Sequence, residues 1–107
     1  MANNYKNAKV DLTGTGVTVL YTTPSATTTL IKSLLVSEDS GNADTITVTI
    51  TDAASSPATF SLFKVKAVGA NATVELLTQP LVVQEDEIIK VTAATGNRLH
   101  VVASLLR

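Results

Sequence analysis

The chain has 107 residues, no cysteine, a formal net charge of −1 and a hydrophobic fraction of 45%. That length suits one domain with one thin core. The missing cysteines exclude a disulfide framework and any thiolate metal site, and the near-neutral charge leaves no basic footprint for nucleic acid. Two tyrosines and two phenylalanines are the only aromatic residues, too few for a base-stacking platform.

The chain opens on MANNYKNAKV, read as a short polar arm over about residues 1–7. It has no apolar stretch of the kind a secretory signal carries. Ala8 to Thr13 and Val17 to Thr22 follow as strands. Gly14-Thr15-Gly16 between them leads into a strand and not a helix, so it is read as a hairpin turn and not as a phosphate cradle. After Pro24-Ser25-Ala26, Thr27 to Ser37 reads as a strand joining Ile31, Leu34, Leu35 and Val36. Ser37 to Asn42 is turn chemistry.

Asp44 to Asp52 is the clearest strand. Thr45, Thr47, Thr49 and Thr51 fall on one face and Ile46, Val48 and Ile50 on the other, the period-2 pattern of a half-buried antiparallel strand. Ala53 to Pro57 breaks the next pair. Thr59 to Ala67 and Thr73 to Leu77 are strands around the tight break Val68 to Asn71, and Leu81, Val82 and Val83 form a further apolar segment. Gln84-Glu85-Asp86 and Thr95-Gly96-Asn97 punctuate the last two strands, Glu87 to Ala93 and Arg98 to Leu106.

The 17 threonines, with valine and isoleucine, give a β-branched composition that favours a pleated surface over a helix. Eight or nine short strands in one small chain need two packed sheets, taken first here, or a closed barrel, since a single flat sheet would leave too much apolar surface wet. The expected fold is therefore all-β: one domain, 1–107, an antiparallel two-sheet sandwich of jelly-roll-like or immunoglobulin-like type.

The mean hydropathy of +0.29 is high for so small a chain, yet no stretch approaches the ~20 apolar residues of a membrane-spanning helix. The excess is spread over strands that are apolar on both sides. Leu99, Val101, Ala103 and Leu105 alternate with His100, Val102, Ser104 and Leu106, and Ile89, Val91 and Ala93 alternate with Ile88, Lys90 and Thr92. A sandwich needs one apolar face per strand. The other marks an association surface, for which Ile88, His100, Val102 and Leu106 are the candidates. Polar His100 and Ser104 choose the outward face of the last strand, since polar groups suit an interface rim better than a core.

No catalytic, cofactor or metal site is expected. His100 is the only histidine, and no partner is marked by ligand spacing. Glu85-Asp86-Glu87 lacks the glycine and spaced acids of a calcium loop and reads as a solvated turn. Glu38, Asp39, Asp44 and Asp52 read as turn chemistry. Asn71-Ala72-Thr73 matches a glycosylation sequon, read here as a turn residue before a strand.

The run YTTPSATTTLIKSLLVSEDSGNADTITVTITD, Tyr21 to Asp52, resembles small virion structural proteins of tailed bacteriophages. So does VGANATVELLTQPLVVQEDEIIKVTAA, Val68 to Ala94. The resemblance covers most of the chain. It implies a β-sandwich subunit of a phage particle, first a head decoration (cement) subunit and otherwise a neck or tail-ring subunit. It supplies no catalytic residues. The partners so implied are copies of the chain itself, a trimer first, and the major capsid protein or other virion subunits, with the virion as location and assembly in the host cytoplasm. A carbohydrate-binding sandwich is the alternative from another class, weakened by the shortage of rings for sugar stacking.

Overall fold

The computed structural model describes residues 4–52 and 57–107. They form nine strands and no helix: β1 Tyr5–Leu12, β2 Thr18–Thr22, β3 Thr29–Glu38, β4 Asp44–Thr51, β5 Thr59–Val68, β6 Thr73–Glu75, β7 Leu81–Val83, β8 Ile88–Ala93 and β9 Leu99–Leu106. The break read over Ala53 to Pro57 lies mostly outside the described residues.

Two antiparallel sheets result. One has the order β1-β9-β3-β6, with β7 also on β3; the other has the order β2-β8-β4-β5. β6 and β7 lie along the same edge of β3, against Leu35–Ser37 and Thr29–Ile31 respectively. They act as one edge strand interrupted at residues 76–80. Counted so, the molecule has two four-stranded sheets, and the chain changes sheet at every connection except the β4–β5 hairpin. This is the strand order of a jelly roll, and it sets aside the immunoglobulin-like alternative.

The same topology corrects one local reading. Gly14-Thr15-Gly16 is not a hairpin turn, because β1 and β2 belong to different sheets. Two glycines between strands look alike in a hairpin and in a crossover, and only the non-local partner distinguishes them. The crossover is braced by the β8–β9 connection at the same end of the sandwich. There the Asn97 N–H donates to Leu12 O at 2.9 Å. Gly96 sits so close that a Cβ would come 2.5 Å from Thr13 O.

β1 begins inside the segment read as a polar arm. Tyr5, Lys6 and Asn7 pair with Leu106, Leu105 and Ser104, and Asn4 exchanges both backbone bonds with Arg107, at 2.8 and 3.0 Å.

Period-2 alternation places the core. Ile46 and Val48 of β4, Ile89, Val91 and Ala93 of β8, and Leu99, Val101, Ala103 and Leu105 of β9 are all buried, while Thr45, Thr47 and Thr49 stay half-buried on the outer side. Each buried Val, Leu or Ile contributes roughly 1.5–3 kcal/mol relative to exposure. β3 keeps its apolar residues inward by changing phase. Thr29 and Ile31 face the core, a bulge follows between Ile31 and Ser33, and Leu34, Val36 and Glu38 then face inward. The bulge turns Leu35 outward, where it is 39% exposed.

Candidate interaction surface

The strand registers arrange the outer face of the β1-β9-β3 sheet in rows. Tyr5, Leu106, Leu30 and Val82 stand directly opposite one another across β1, β9, β3 and β7. Lys9, Val102, Leu35 and Glu75 form a second row across β1, β9, β3 and β6. Between these rows run Asn7, Ser104 and Ser33, and beyond the second run Asp11, His100, Ser37 and Thr73. Four apolar side chains in contiguous register make a ribbon across the sheet, with Tyr5 at 74% and Val82 at 52% exposure marking its two ends. Cross-strand neighbours on one face are close enough for their side chains to touch, so the ribbon is one surface and not scattered residues.

His100, Val102 and Leu106, expected outward from the last strand, all lie on this face and are half-buried among their neighbours. Ile88 does not join them. It stands on the outer face of β8, in the other sheet, between Thr22 and Thr51. The two outer faces of a sandwich point in opposite directions, so Ile88 belongs to a different surface. Its local apolar pattern matches that of β9, and only the sheet assignment separates them.

His100 is held between two carboxylates. Its Nε2 is 3.1 Å from Asp11 Oδ1 and its Nδ1 is 3.4 Å from Asp39 Oδ2. Both nitrogens donate at once only in the imidazolium form. The three side chains are substantially exposed, and such pairs contribute little to stability. No group of three or more His, Asp or Glu side chains among the described residues is arranged to hold a metal ion.

The acidic turn is used structurally. Gln84 N–H donates to Glu87 Oε1 at 2.7 Å. Glu85 accepts the Ala26 N–H, and the Ser25 hydroxyl donates to Asp86 Oδ1 at 3.3 Å. The turn therefore fastens the β7–β8 connection to the β2–β3 connection. Asp44 does similar work, accepting from Thr45 N–H at 2.8 Å and from Thr95 N–H at 3.1 Å.

Glu38 is the acid whose role local sequence conceals. It closes one end of the core with only 2% exposure. Its carboxylate accepts the Ser40 hydroxyl, the Ser40 N–H at 2.8 Å, and the Gly41 and Asn71 N–H groups at 3.0 Å each. Burial acts to raise its pKa, but the bonds from the Ser40 hydroxyl and the Asn71, Ser40 and Gly41 amides together outweigh that and lower it from 4.5 to about 2. Gly41 adopts φ +84 to present its amide, a conformation that costs glycine nothing. Asn71, the first residue of the sequon, thus turns the backbone toward Glu38 at φ +56.

Neither a protein-family model nor a curated protein matches the chain.

β5 offers a second exposed apolar element. It is the edge strand of its sheet, with Phe60 55% and Val65 61% exposed. Two register irregularities against β4 interrupt it, and Lys64 and Lys66 are exposed along it. Bulges and edge lysines are the usual protection of a free edge against pairing with another chain. The sequence showed neither this nor the rows that join Tyr5, Leu30, Leu35 and Val82 to Val102 and Leu106. Only the consecutive Leu34-Leu35-Val36 hinted that one of β3's apolar residues must face out.

Proposed function

We propose that this chain is a structural subunit acting through protein–protein contacts, and specifically a decoration (cement) subunit on the head of a tailed bacteriophage. The observation that carries the structural part is the apolar ribbon Tyr5–Leu106–Leu30–Val82 outside a core that is already closed. Contiguous exposed apolar surface of this kind is a mark of association. The virion assignment is supported by the sequence resemblance over Tyr21 to Asp52 and Val68 to Ala94. It is supported, by analogy of fold alone, by the use of jelly rolls in viral shells, a fold that lectins and cupins share.

The mechanism is mechanical. Many symmetric copies lie across joints between shell subunits, and each buries a modest apolar area. Linked sites add through effective concentration, so a shell gains cohesion that no single weak contact supplies. The test is the stoichiometry of this chain against the major shell protein in purified particles. A copy number close to that of the shell protein is the expected result. A copy number fitting a single ring assigns the chain to the neck or tail, and absence from particles contradicts both readings.

A further inference from the structure

We propose that the outer face of the β1-β9-β3 sheet is a self-recognition surface, and that two copies of the chain pack face to face on it about a two-fold axis parallel to the strands. The inference rests on the same ribbon as the structural-subunit reading and names a second copy of the chain as its occupant; it does not depend on the virion assignment. An axis lying between β9 and β3, in the plane between two such faces, reverses the order of strands and keeps each level along the strand. Every row then meets itself reversed.

The consequences of that operation are specific. The ribbon lies on its own copy, Tyr5 over Val82 and Leu106 over Leu30 of the second molecule. In the second row, Val102 lies over Leu35, and the ends bring Lys9 over Glu75. In the outermost row Asp11 lies over Thr73 and His100 over Ser37. Apolar groups meet apolar groups and the opposite charges at the two ends of one row meet each other; the like-charge exception is Lys32, exposed at the β3 bulge beside Tyr5, Asn7 and Ser104, which faces its own copy near the axis. Isologous contacts require such self-complementarity, in which residue i meets j and j meets i. An axis perpendicular to the strands through the centre of the face would instead set the ribbon on the polar row Asp11, His100, Ser37 and Thr73.

Lys9 and Glu75 are available for this. Both are exposed. Lys9 makes no ion pair among the described residues, where the ion pairs present are those of His100. Glu75 uses Oε2 to accept the Leu34 N–H at 2.8 Å. The alternative self-contact, edge to edge along β5, is opposed by Lys64 and Lys66. Packed sheets lie ~10 Å apart with strands within about 30° of parallel, which keeps the rows nearly in register.

The face is eight residues long on β9. With ~3.3 Å per residue and four strands ~4.8 Å apart it covers roughly 500 Å² in plan. That is below the ~800 Å² each partner gives to a stable complex, so the dimer is weak and dissociates on dilution.

Sedimentation velocity of the full chain over a concentration series tests this, with the variants Lys9→Glu, Glu75→Lys and the two combined. The chain should approach twice its 11.1 kDa mass as concentration rises. Each single reversal should weaken dimerisation about tenfold, because symmetry repeats the change and each pair turns from attraction to repulsion. The combined variant should recover the unsubstituted affinity. Thermal melting of dilute samples verifies that each monomer folds. Should Glu75→Lys fail to fold, Lys9→Glu must still weaken the dimer more than Lys9→Gln. A strictly monomeric chain, a trimer, a combined variant no better than the singles, or equal losses for Lys9→Glu and Lys9→Gln would each overturn the proposal.

Discussion

The two outward faces of this sandwich have similar strand lengths and cross-strand geometry but opposite chemistry. On the β1-β9-β3 sheet, Tyr5, Leu106, Leu30 and Val82 stand side by side across four strands. On the other sheet the corresponding rows are Thr22, Ile88, Thr51 and Thr59, and Val19, Lys90, Thr49 and Ser61. Each holds one apolar residue separated from the next by threonine, serine or lysine. β-branched residues are commoner in these two rows, six of eight against two of eight in the rows led by Tyr5 and Lys9, so β propensity does not explain the apolar face. Adjacency does: isolated apolar residues are ordinary on a soluble surface, whereas contiguous ones mark association.

Charge placed on either side of the threonine-bearing sheet should have the largest effect. Val48 is fully buried and Thr47 half-buried beside it. Val48→Asp puts an unpaired carboxylate in the core and should cost several kcal/mol, on the order of the whole stability of a small domain. Thr47→Asp should cost about 1 kcal/mol or less, as is usual at surface positions. Urea unfolding of the pair measures the difference, and equal losses would mean that the threonine face is itself covered.

Matched double substitutions address the faces directly. Val102→Ser with Leu106→Ser interrupts both apolar rows of one sheet. Val19→Ser with Ile88→Ser removes the isolated apolar residues of the other. Light scattering after size exclusion should show the first pair losing self-association, by roughly tenfold or more for two apolar side chains, and the second pair retaining it. Both should stay folded by circular dichroism.

Glu38 ties the β3–β4 connection to the β5–β6 connection, and its contribution has a defined pH window. Its folded-state pKa is lowered from 4.5 to about 2. The stabilisation is therefore complete above the unfolded value and is lost as pH falls from about 4.5 toward 2. Glu38→Gln should lower stability at neutral pH and flatten the acid limb of a melting-temperature profile. An unchanged acid limb would place the acid sensitivity elsewhere. The smallest effect is expected at Val65, a β-branched residue at φ +52. Its N–H is satisfied by the Thr47 hydroxyl at 3.1 Å. Val65→Asn relieves a left-handed conformation that asparagine tolerates, and should raise stability by about 1 kcal/mol.

Strand positions and facing were legible in the sequence wherever the alternation is local. Asp44 to Asp52 and Arg98 to Leu106 show their inner and outer residues without any knowledge of partners, and His100, Val102 and Leu106 lie on the face so expected. What failed to show is whatever depends on pairing. Gly14-Thr15-Gly16 looks like a hairpin because a crossover uses the same residues. Ile88 looks like a companion of Val102 because the sequence does not say which strands share a sheet. The bulge at Lys32 and Ser33, which sends Leu35 outward, leaves no local mark beyond an overlong apolar run. Glu38 reads as a turn acid because its amide donors come from residues both adjacent and 33 positions away.

Methyl NMR on dilution reports which face changes when copies separate. The Leu30, Leu35, Val82, Val102 and Leu106 methyl resonances should shift together with concentration while Val19 and Ile88 stay fixed. Shifts at Val19 and Ile88, shifts confined to Val65 on the β5 edge, or none on either face would contradict self-recognition through the β1-β9-β3 sheet.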